Sequence, residues 1–244
     1  MEKIVLVTGA SQGLGRETAV AFVKAGWRTV AAARNADKLT ALAEETGAVA
    51  LSCDVTDPGS VKALFGAIKD QFGRIDAVFN NAGSFTAAAD PGELPFDEWR
   101  RVLSVNLDGA FLIASAAFRM MREQSPQGGR IINNGSISAH VPRPRSIAYT
   151  ASKHAITGLT KSIALDGRGL GITASQIDIG NAASDMTQAM QAGVPQPDGS
   201  VRPEPVMPAA LVAAAVLRMA EMPPEANVLF ETVMATEMPF VGRG

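Results

Sequence analysis

The sequence is poor in the residue types that usually form cross-links and metal clusters. Its 244 residues include one cysteine, Cys53, and two histidines, His140 and His154. A single cysteine excludes an intramolecular disulfide and a thiolate cluster, and the two histidines lack a convincing set of ligand partners. We therefore expect no bound metal, and the scarcity of cysteine fits a reducing compartment.

A surplus of charge and long apolar runs are also missing. The chain has 22 Lys and Arg against 24 Asp and Glu, which gives a formal net charge of −2 at pH 7. No basic surplus favours nucleic acid or anionic lipid as a partner. The longest apolar runs, around 109–118 and 209–217, are too short to span a bilayer, and no signal peptide is visible. The composition predicts a soluble cytoplasmic protein that binds neither nucleic acid nor membrane.

Short β-branched runs alternate with helical patterns along the chain. Strands are predicted at 3–8, 28–33, 48–53, 75–80, 130–135, 172–178 and 227–232. Helices are predicted near 14–25, 36–46, 59–72, 96–123, 147–167 and 208–221. Apolar strands separated by helices predict an α/β fold, a doubly wound parallel sheet of about seven strands with helices on both faces. No linker, repeat or low-complexity tract divides the chain, so residues 1–244 are expected to form a single domain.

One segment departs from this alternation. Residues 184–208 are rich in Pro, Gln and Met and show little periodicity. A loop of such length in a compact domain is usually either disordered or functional. Because it follows the sixth strand, at the edge where such folds bind ligands, we predict a substrate lid. A plain surface excursion is the alternative.

The first predicted strand ends in a glycine-rich turn, TGASQGLG at residues 8–15. Gly9 allows a sharp turn off the strand, and Gly13 and Gly15 allow the next helix to start close to a ligand. The backbone amides and the dipole of a helix N-terminus favour phosphate. The turn lacks the Gly-Lys-Ser/Thr of a P-loop, so its position between strand and helix predicts dinucleotide binding.

The only tyrosine, Tyr149, lies four residues before Lys153 in a predicted helix. Residues at this spacing share one face of a helix. A phenol has an ordinary pKa of about 10, and a nearby ammonium is expected to lower it. The pair therefore predicts a general acid that exchanges a proton with a carbonyl or alcohol oxygen.

Further motifs stand in a fixed order along the chain. NNAG occupies 80–83, VN occupies 105–106, and Ser136 follows the fifth predicted strand. With Tyr-x-x-x-Lys and the glycine spacing T-G-x-x-x-G-x-G, the chain resembles the classical short-chain dehydrogenase/reductase family nearly from end to end. The resemblance implies a Rossmann-fold oxidoreductase that transfers a hydride between a nicotinamide dinucleotide and a carbonyl or alcohol substrate. It implies a catalytic set of Asn106, Ser136, Tyr149 and Lys153.

The resemblance also assigns finer roles to these residues. Ser136 would hydrogen-bond the substrate oxygen, with Ser138 as a rival that more plausibly supports the turn. Lys153 would bind the ribose hydroxyls of the nicotinamide, and Asn106 would hold a water through its backbone; a core amide is the other reading of Asn106. His140 is expected to be a solvated loop residue, and His154 is expected to be structural or on the surface.

The cofactor contacts implied by the resemblance span the chain. Asp54 would contact the adenine beside the backbone of Val55, and it could also cap a turn. Ile179 stands where the family usually has proline, Gly180 keeps the backbone contact there, and Ser184 replaces the usual threonine. The full implied set is Gly9, Ser11, Gln12, Gly13, Leu14, Gly15, Arg34, Asp54, Val55, Asn81, Ala82, Gly83, Tyr149, Lys153, Ile179, Gly180 and Ser184.

The end of the second strand carries the preference between the two nicotinamide dinucleotides. In the family pattern Ala33 takes the place of the usual acid, and Arg34 follows it. A carboxylate there would accept from a free 2′-hydroxyl, whereas a guanidinium suits a 2′-phosphate. We therefore favour NADP(H) over NAD(H).

Two other expectations concern assembly and competing functions. Met234, Met238, Phe240 and Val241 would form an exposed apolar patch in a monomer, so a homo-oligomer, a dimer or tetramer, is predicted. A non-catalytic dinucleotide sensor would be expected to lose the tyrosine and lysine, and a lyase or epimerase usually needs a larger substrate region. The apolar residues of the predicted lid suggest a modestly apolar ketone or alcohol as substrate.

Overall fold

A computed structural model of the protein describes residues 2–184 and 192–241. The strands are β1 Ile4–Thr8, β2 Arg28–Ala33, β3 Val49–Ser52, β4 Ala77–Asn80, β5 Gly129–Asn134, β6 Ile172–Gly180, β7 Val194–Pro195, β8 Val201–Arg202 and β9 Phe230–Met234. The helices are α1 Gly13–Lys24, α2 Ala36–Thr46, α3 Pro58–Phe72, α4 Phe96–Leu103, α5 Ala110–Glu123, α6 Ile147–Asp166 and α7 Ala209–Glu221. A π-helical segment, Ser104–Gly109, joins α4 to α5.

Seven of the strands form one parallel sheet in the order β3-β2-β1-β4-β5-β6-β9. The chain order reverses between β1 and β4, so the loops after these two strands diverge and leave a crevice at their carboxyl ends. The doubly wound sheet predicted from the sequence is thereby confirmed.

Helices cover both faces of this sheet because its strands are apolar on both faces. In β1, Val5 and Val7 pack into a cluster with α1 and α7, whereas Leu6 packs into a cluster with α3 and α5. All five residues of β1 are buried. Such two-sided burial is the reason that the strands read as continuous apolar runs.

The predicted elements are present, with shifts at their ends. The last strand begins at Phe230 rather than at 227. Before it, the Asn227 side chain donates to the backbone oxygen of Ala174 and accepts from the Ser175 hydroxyl, at 2.8 and 2.9 Å. Side-chain bonds therefore replace strand pairing there. The long helix predicted at 96–123 is continuous but contains the π-helical segment.

Within the described part of the chain, this same stretch, Phe96–Glu123, is the one helix long and apolar enough to cross a membrane. Its residues Ile113, Ala114, Ala117 and Met121 are buried against the sheet and α3. We therefore assign it as a core helix, and nothing indicates a membrane.

The C-terminal apolar residues are less exposed than the sequence suggested. Met238 is buried, Met234 and Phe240 pack against the core, and only Val241 of the four is largely in solvent. The expectation of a broad exposed patch here is wrong, because the segment after β9 folds back onto its own domain.

The predicted lid lies partly outside the described residues, which omit 185–191. Its later part forms the β7–β8 hairpin. Met207 does not belong to an apolar lid surface: it is buried, and its backbone bonds with that of Asn181 and Ala183. Met186 and Met190 lie outside the described residues.

Candidate active site

A cavity of about 680 Å³ opens at the carboxyl edge of the sheet, beside the crevice between β1 and β4. It extends from the glycine-rich turn to the N-terminal half of α6. The residues predicted from the sequence that line it are Gly9, Ser11, Gln12, Gly13, Leu14, Gly15, Arg34, Asp54, Val55, Asn81, Ala82, Gly83, Ser136, Tyr149, Lys153, Ile179 and Ser184. Asn106 and Gly180 are the two predicted residues that do not line it.

The glycine-rich turn has the backbone that only glycine adopts easily. Gly9 and Gly13 have φ values of +65° and +53°. A Cβ on Gly15 would lie 2.3 Å from the backbone oxygen of Gly9, so Gly15 serves the closure of the turn onto its own strand. Among the described residues no side chain caps the N-terminus of α1. The amides at this end are therefore available to a phosphate at the cavity wall.

The loop after β4 is tied to the end of β1. The Thr8 hydroxyl accepts from the backbone N–H groups of Asn81 and Ala82, at 2.8 and 3.0 Å. The Asn81 side chain donates to the Thr8 carbonyl at 2.8 Å. Asn80, by contrast, points into the core and donates to the Ala110 carbonyl. These bonds hold the backbone of residues 81–83 against the cavity.

Arg34 and Lys38 are two cations near the end of the cavity where the sequence predicts that adenosine binds. Arg34 lines it directly after β2. Lys38, in the first turn of α2, donates from Nζ to Oε1 of Gln12 at 2.7 Å. The sequence had shown no second basic residue in the glycine-rich turn itself. The fold supplies one from the neighbouring helix.

Asp54 performs the local role expected of it. Its Oδ1 accepts from the backbone N–H and the hydroxyl of Thr56, at 2.9 and 2.8 Å. These bonds lower the pKa of Asp54. The carboxylate thus stays ionised at the cavity wall while it stabilises the turn.

Tyr149 and Lys153 lie one turn apart on α6, and the ammonium is 5.5 Å from the centre of the phenol ring. Nζ of Lys153 donates to the backbone oxygen of Asn134 at 2.7 Å. Burial lowers the pKa of Lys153 to about 8. Burial also raises the pKa of Tyr149 to about 12, although a hydrogen bond with Ser136 and the charge of Arg143 act in the other direction.

The sequence analysis expected a lowered pKa for Tyr149, and for the protein without a bound dinucleotide this expectation is wrong. Desolvation by burial outweighs Ser136 and the charge of Arg143, which both act to lower the pKa, while the charge of Asp178 acts to raise it. Tyr149 is consequently protonated at neutral pH, which is the state that a proton donor requires.

Ser136 caps a short 3₁₀ turn, Ile137–Ala139, at the end of β5. Its hydroxyl oxygen accepts from the backbone N–H of Ser138 at 3.1 Å. Ser138 is buried and supports this turn, while Ser136 lines the cavity with Tyr149 and acts to lower the pKa of the phenol. The choice between Ser136 and Ser138 as the serine that contacts the substrate stays a prediction.

Asn106 lies in the π-helical segment and is buried. Its amide bonds both backbone groups of Ser84, N–H at 2.7 Å and C=O at 3.0 Å, and donates to the Ser152 hydroxyl at 3.1 Å. The side chain therefore joins the loop after β4 to α6, rather than to a neighbouring strand. The Ser84 hydroxyl, in the cavity lining, has no hydrogen-bond partner among the described residues.

Gly180 serves packing more than cavity shape. A Cβ there would lie 2.7 Å from Cβ of Met234 and Sδ of Met238. Ile179 lines the cavity next to it, in the place where the sequence departs from the family's proline. Ser184 also lines the cavity, and a Cβ on Gly13 would lie 3.2 Å from its Cβ.

Sequence reasoning missed Phe85, Arg143 and Asn181, which line the cavity. The ring of Phe85 stacks on Tyr149, with centroids 4.0 Å apart. Arg143, which lines the cavity, forms a 2.8 Å ion pair with buried Glu204 and donates to the Asn181 amide oxygen at 2.7 Å. Short polar loops give no signal for these contacts. The position of Phe85, two residues after NNAG, was the one available hint.

The two histidines also have defined places. His154 is exposed and bonds the Thr150 carbonyl, as expected of a surface residue. His140 is an exposed loop residue, as expected, but it also has a partner that the sequence did not reveal. Its Nε2 lies 2.7 Å from Oδ2 of Asp178, whose side chain is 1% exposed.

Comparison with known proteins agrees with this geometry. The sequence matches the family model described as short chain dehydrogenase over residues 3–194. It is 37% identical over 198 residues to a 3β-hydroxysteroid dehydrogenase of Mediterraneibacter gnavus, covering 79% of this chain and 71% of that protein. It is 37% identical over 180 residues to a D-threitol dehydrogenase of Mycolicibacterium smegmatis, covering 72% and 68%.

Solved structures share the fold over nearly the whole chain. An actinorhodin polyketide ketoreductase with NADPH superposes with a TM-score of 0.85 at 25% identity, covering 96% of both chains. A 3-ketoacyl-(acyl-carrier-protein) reductase from Brucella melitensis with NADH superposes with a TM-score of 0.84 at 23% identity, covering 95% of this chain and 96% of that one. With the family match, we conclude that the chain belongs to the short-chain dehydrogenase/reductase family and is an NAD(P)-dependent oxidoreductase acting between carbonyls and alcohols.

Proposed function

We propose that the protein is an NADP(H)-preferring ketone reductase or secondary alcohol dehydrogenase, in which Ser136, Tyr149 and Lys153 carry the proton chemistry. The observation that carries this proposal is the meeting of these three side chains in one cavity with the glycine-rich turn. A dinucleotide sensor without catalysis is not favoured, since it would have no need of a protonated phenol beside a buried lysine.

The cavity fits a nicotinamide dinucleotide at several points. The uncapped N-terminus of α1 suits the pyrophosphate, and the positive φ angles of Gly9 and Gly13 keep that turn clear of side chains. Ser11, Leu14 and the loop at 81–83 would line its path. When bound, the dinucleotide supplies the hydride for reduction or accepts it in oxidation.

The protein's own residues handle the proton. Ser136 and Tyr149 hold the substrate oxygen between two hydroxyls, and the protonated phenol donates to that oxygen during reduction. Lys153 uses one N–H on the Asn134 carbonyl, which leaves its other donors for ribose hydroxyls. Asn106 fixes the loop that carries Ser84 and thereby one wall of the cavity.

The preference for NADP(H) rests on Arg34 and Lys38. Both cations lie where β2 and α2 meet the glycine-rich turn, and Ala33 leaves no carboxylate at the end of β2. A guanidinium and an ammonium together suit a 2′-phosphate.

The remaining parts of the proposal concern the lid, the domain and the assembly. Residues 184–208 would cover the substrate end, since Val194 and Pro195 of the hairpin line the cavity, and residues 1–244 would act as one catalytic domain. Phe111 and Leu165 expose 53% and 60% of their surface on α5 and α6, which supports a homo-oligomer. We place the protein in the cytoplasm.

The direct test is to mix the purified protein with NADPH or NADH and a panel of ketones, from apolar to hydroxylated, and to follow loss of reduced-cofactor absorbance. We expect turnover with NADPH and an apolar or modestly apolar ketone. The reverse assay pairs NADP⁺ with the corresponding alcohol. No turnover in either direction with either dinucleotide would contradict the proposed function. Light scattering tests assembly, and a monomeric mass at micromolar concentration would contradict the oligomer.

A further inference from the structure

A buried acid at the carboxyl end of β6 takes no part in the proton chemistry described so far. The side chain of Asp178 is 1% exposed. Its Oδ1 accepts from the backbone N–H of Ser136 at 2.9 Å and from Nε2 of Gln176 at 2.7 Å. Its Oδ2 lies 2.7 Å from Nε2 of His140. A carboxylate with so little access to water thus holds the backbone of Ser136, which lines the cavity with Tyr149.

The neighbouring glycine makes room for this contact. A Cβ on Gly135 would lie 2.1 Å from Oδ1 of Asp178, a distance that no side chain could tolerate. Gly135 also donates its own N–H to the Ile177 carbonyl at 2.8 Å, which keeps β5 and β6 in register at this point. The Asp178 carboxylate can therefore approach the backbone of Ser136 only because residue 135 is a glycine.

The charge of Asp178 affects the pKa values of Tyr149 and Lys153. Burial is the largest cause of the raised pKa of Tyr149 and of the lowered pKa of Lys153, and the charge of Asp178 acts to raise both. Arg143 acts on Tyr149 in the opposite sense from the loop before α6. The basic side chain paired with Asp178 is His140, whose side chain is 45% exposed. The described charged or titratable groups around Asp178 and the Tyr149 phenol are therefore His140, Arg143 and Lys153.

We propose that Asp178 is a positioning residue for the reaction: it fixes the backbone of Ser136, and its negative charge opposes ionisation of Tyr149. The kinetic part rests on the proposed function. Because Oδ1 of Asp178 accepts from the backbone N–H of Ser136, the Ser136 hydroxyl keeps its orientation towards Tyr149 and the substrate oxygen. A negative charge behind the phenol opposes phenolate formation, so Tyr149 remains a proton donor at higher pH than it would otherwise.

The chain offers a direct readout, because Tyr149 is its only tyrosine. Phenolate formation, followed by ultraviolet difference absorbance after a rapid pH jump, reports this one side chain before alkaline unfolding. Asp178→Asn keeps the shape of the side chain and removes its charge. We expect it to lower the ionisation pH of Tyr149 by at least about half a unit. An unchanged ionisation pH would overturn the electrostatic part of the proposal.

The matched control is Asp76→Asn. Asp76 has a partly buried carboxylate, 19% exposed, that accepts the backbone N–H of Ile4 at 2.8 Å, but it lies at the amino end of β4. The Asp76→Asn substitution should leave the ionisation pH of Tyr149 the same as in the natural sequence. A shift as large as that of Asp178→Asn would show a general effect of stability and would overturn the proposal.

The positioning part is tested by Asp178→Ala, which removes the acceptor of the Ser136 N–H. We expect kcat for ketone reduction to fall at least about tenfold, with the dinucleotide Kd changed by less than about twofold. Parallel loss of dinucleotide binding, or an unchanged kcat, would overturn it. If Asp178→Ala does not fold, Asp178→Val, which also removes the acceptor and suits a strand, takes its place with the same expected results. If the natural protein turns over no substrate, the proposed function fails while the tyrosine titration still decides the electrostatic part.

Discussion

The rings of Phe85 and Tyr149 are stacked, 4.0 Å apart between centroids and 28° between planes. Phe85 comes from the loop after β4 and Tyr149 from α6, so the contact closes the cavity across two elements. It covers one face of the phenol and keeps water from it. Since burial is the largest cause of the raised pKa of Tyr149, this contact is expected to contribute to it.

Phe85→Ala should therefore lower the ionisation pH of Tyr149 towards the ordinary value of about 10. It should also raise KM for apolar ketones, because the stacked ring lines the cavity in which we propose that the substrate binds. The ultraviolet titration of the single tyrosine and steady-state kinetics measure the two effects. Phe111→Ala, at an exposed site on α5, is the control and should change neither. A titration unchanged in Phe85→Ala would show that the stack does not desolvate the phenol.

Tyr149→Phe tests the proton donor itself. The substitution keeps the ring and its stacking on Phe85 but removes the hydroxyl, so kcat should fall by about a hundredfold or more. Binding of NADPH, measured by fluorescence, should stay close to that of the natural sequence, because Lys153 keeps its bond to the Asn134 carbonyl. Turnover that survives the substitution would assign the proton to another group.

Lys153 is expected to lower the free energy of unfolding at neutral pH. Its pKa falls from 10.5 to about 8 on folding, so below pH 8 the folded protein must bury a charge that the unfolded chain leaves in water. The unfolded chain binds more protons between pH 8 and about 10.5, so this penalty disappears as pH rises through that window. Tyr149 acts oppositely above pH 10, where only the unfolded chain loses its phenol proton.

Lys153→Met should therefore raise the free energy of unfolding at pH 7, by up to about 3 kcal/mol, while abolishing turnover. The gain is reduced by the Asn134 carbonyl, which loses its donor. Urea unfolding between pH 7 and 10 measures this, and the rise in stability from pH 8 to 10 should be smaller in the variant. Equal pH dependence in the two proteins would show that Lys153 is not buried as a charge.

The sequence predicted the strands, the glycine-rich turn and the Tyr149–Lys153 pair because each depends on local pattern. It could not predict the partners that the fold brings together across the sheet. Asp178 and Ser136 are 42 positions apart, and no periodicity links them. The pKa of Tyr149 was mispredicted for a related reason: spacing along a helix gives the neighbouring charge, whereas burial depends on Phe85 and the surrounding loops.

Cofactor preference can be tested at the end of β2. Arg34→Asp should weaken NADPH binding by about ten- to a hundredfold, because a charge-assisted bond to phosphate is lost and a repulsive charge is gained. NADH binding should hold or improve, since a carboxylate there accepts from a ribose hydroxyl. Lys38→Ala should weaken NADPH binding in the same direction but less, because Nζ also bonds Gln12. An unchanged ratio of the two affinities in Arg34→Asp would contradict the assignment of NADP(H).

The ion pair between Arg143 and Glu204 ties the proposed lid to the loop after β5. The two side chains are 14% and 2% exposed, and Asn181 bonds both of them, with its amide nitrogen 2.9 Å from Glu204. Glu204→Ala leaves a guanidinium at the cavity wall without its buried counter-ion, and breaking such a pair costs about 3–5 kcal/mol. The cost should appear first as loosening of the hairpin, because Glu204 comes shortly after β8.

We therefore expect Glu204→Ala to speed proteolytic cleavage between 192 and 208 and to raise KM, with a smaller effect on the overall unfolding transition. The control lies on the same hairpin, where Arg202 pairs with Asp198 at 2.6 Å but both side chains are more than half exposed. Arg202→Ala should change the cleavage rate little, because exposed pairs contribute about 0–1 kcal/mol. Equal cleavage rates in the two variants would mean that the buried pair does not hold the hairpin, and the lid would then have to be anchored elsewhere.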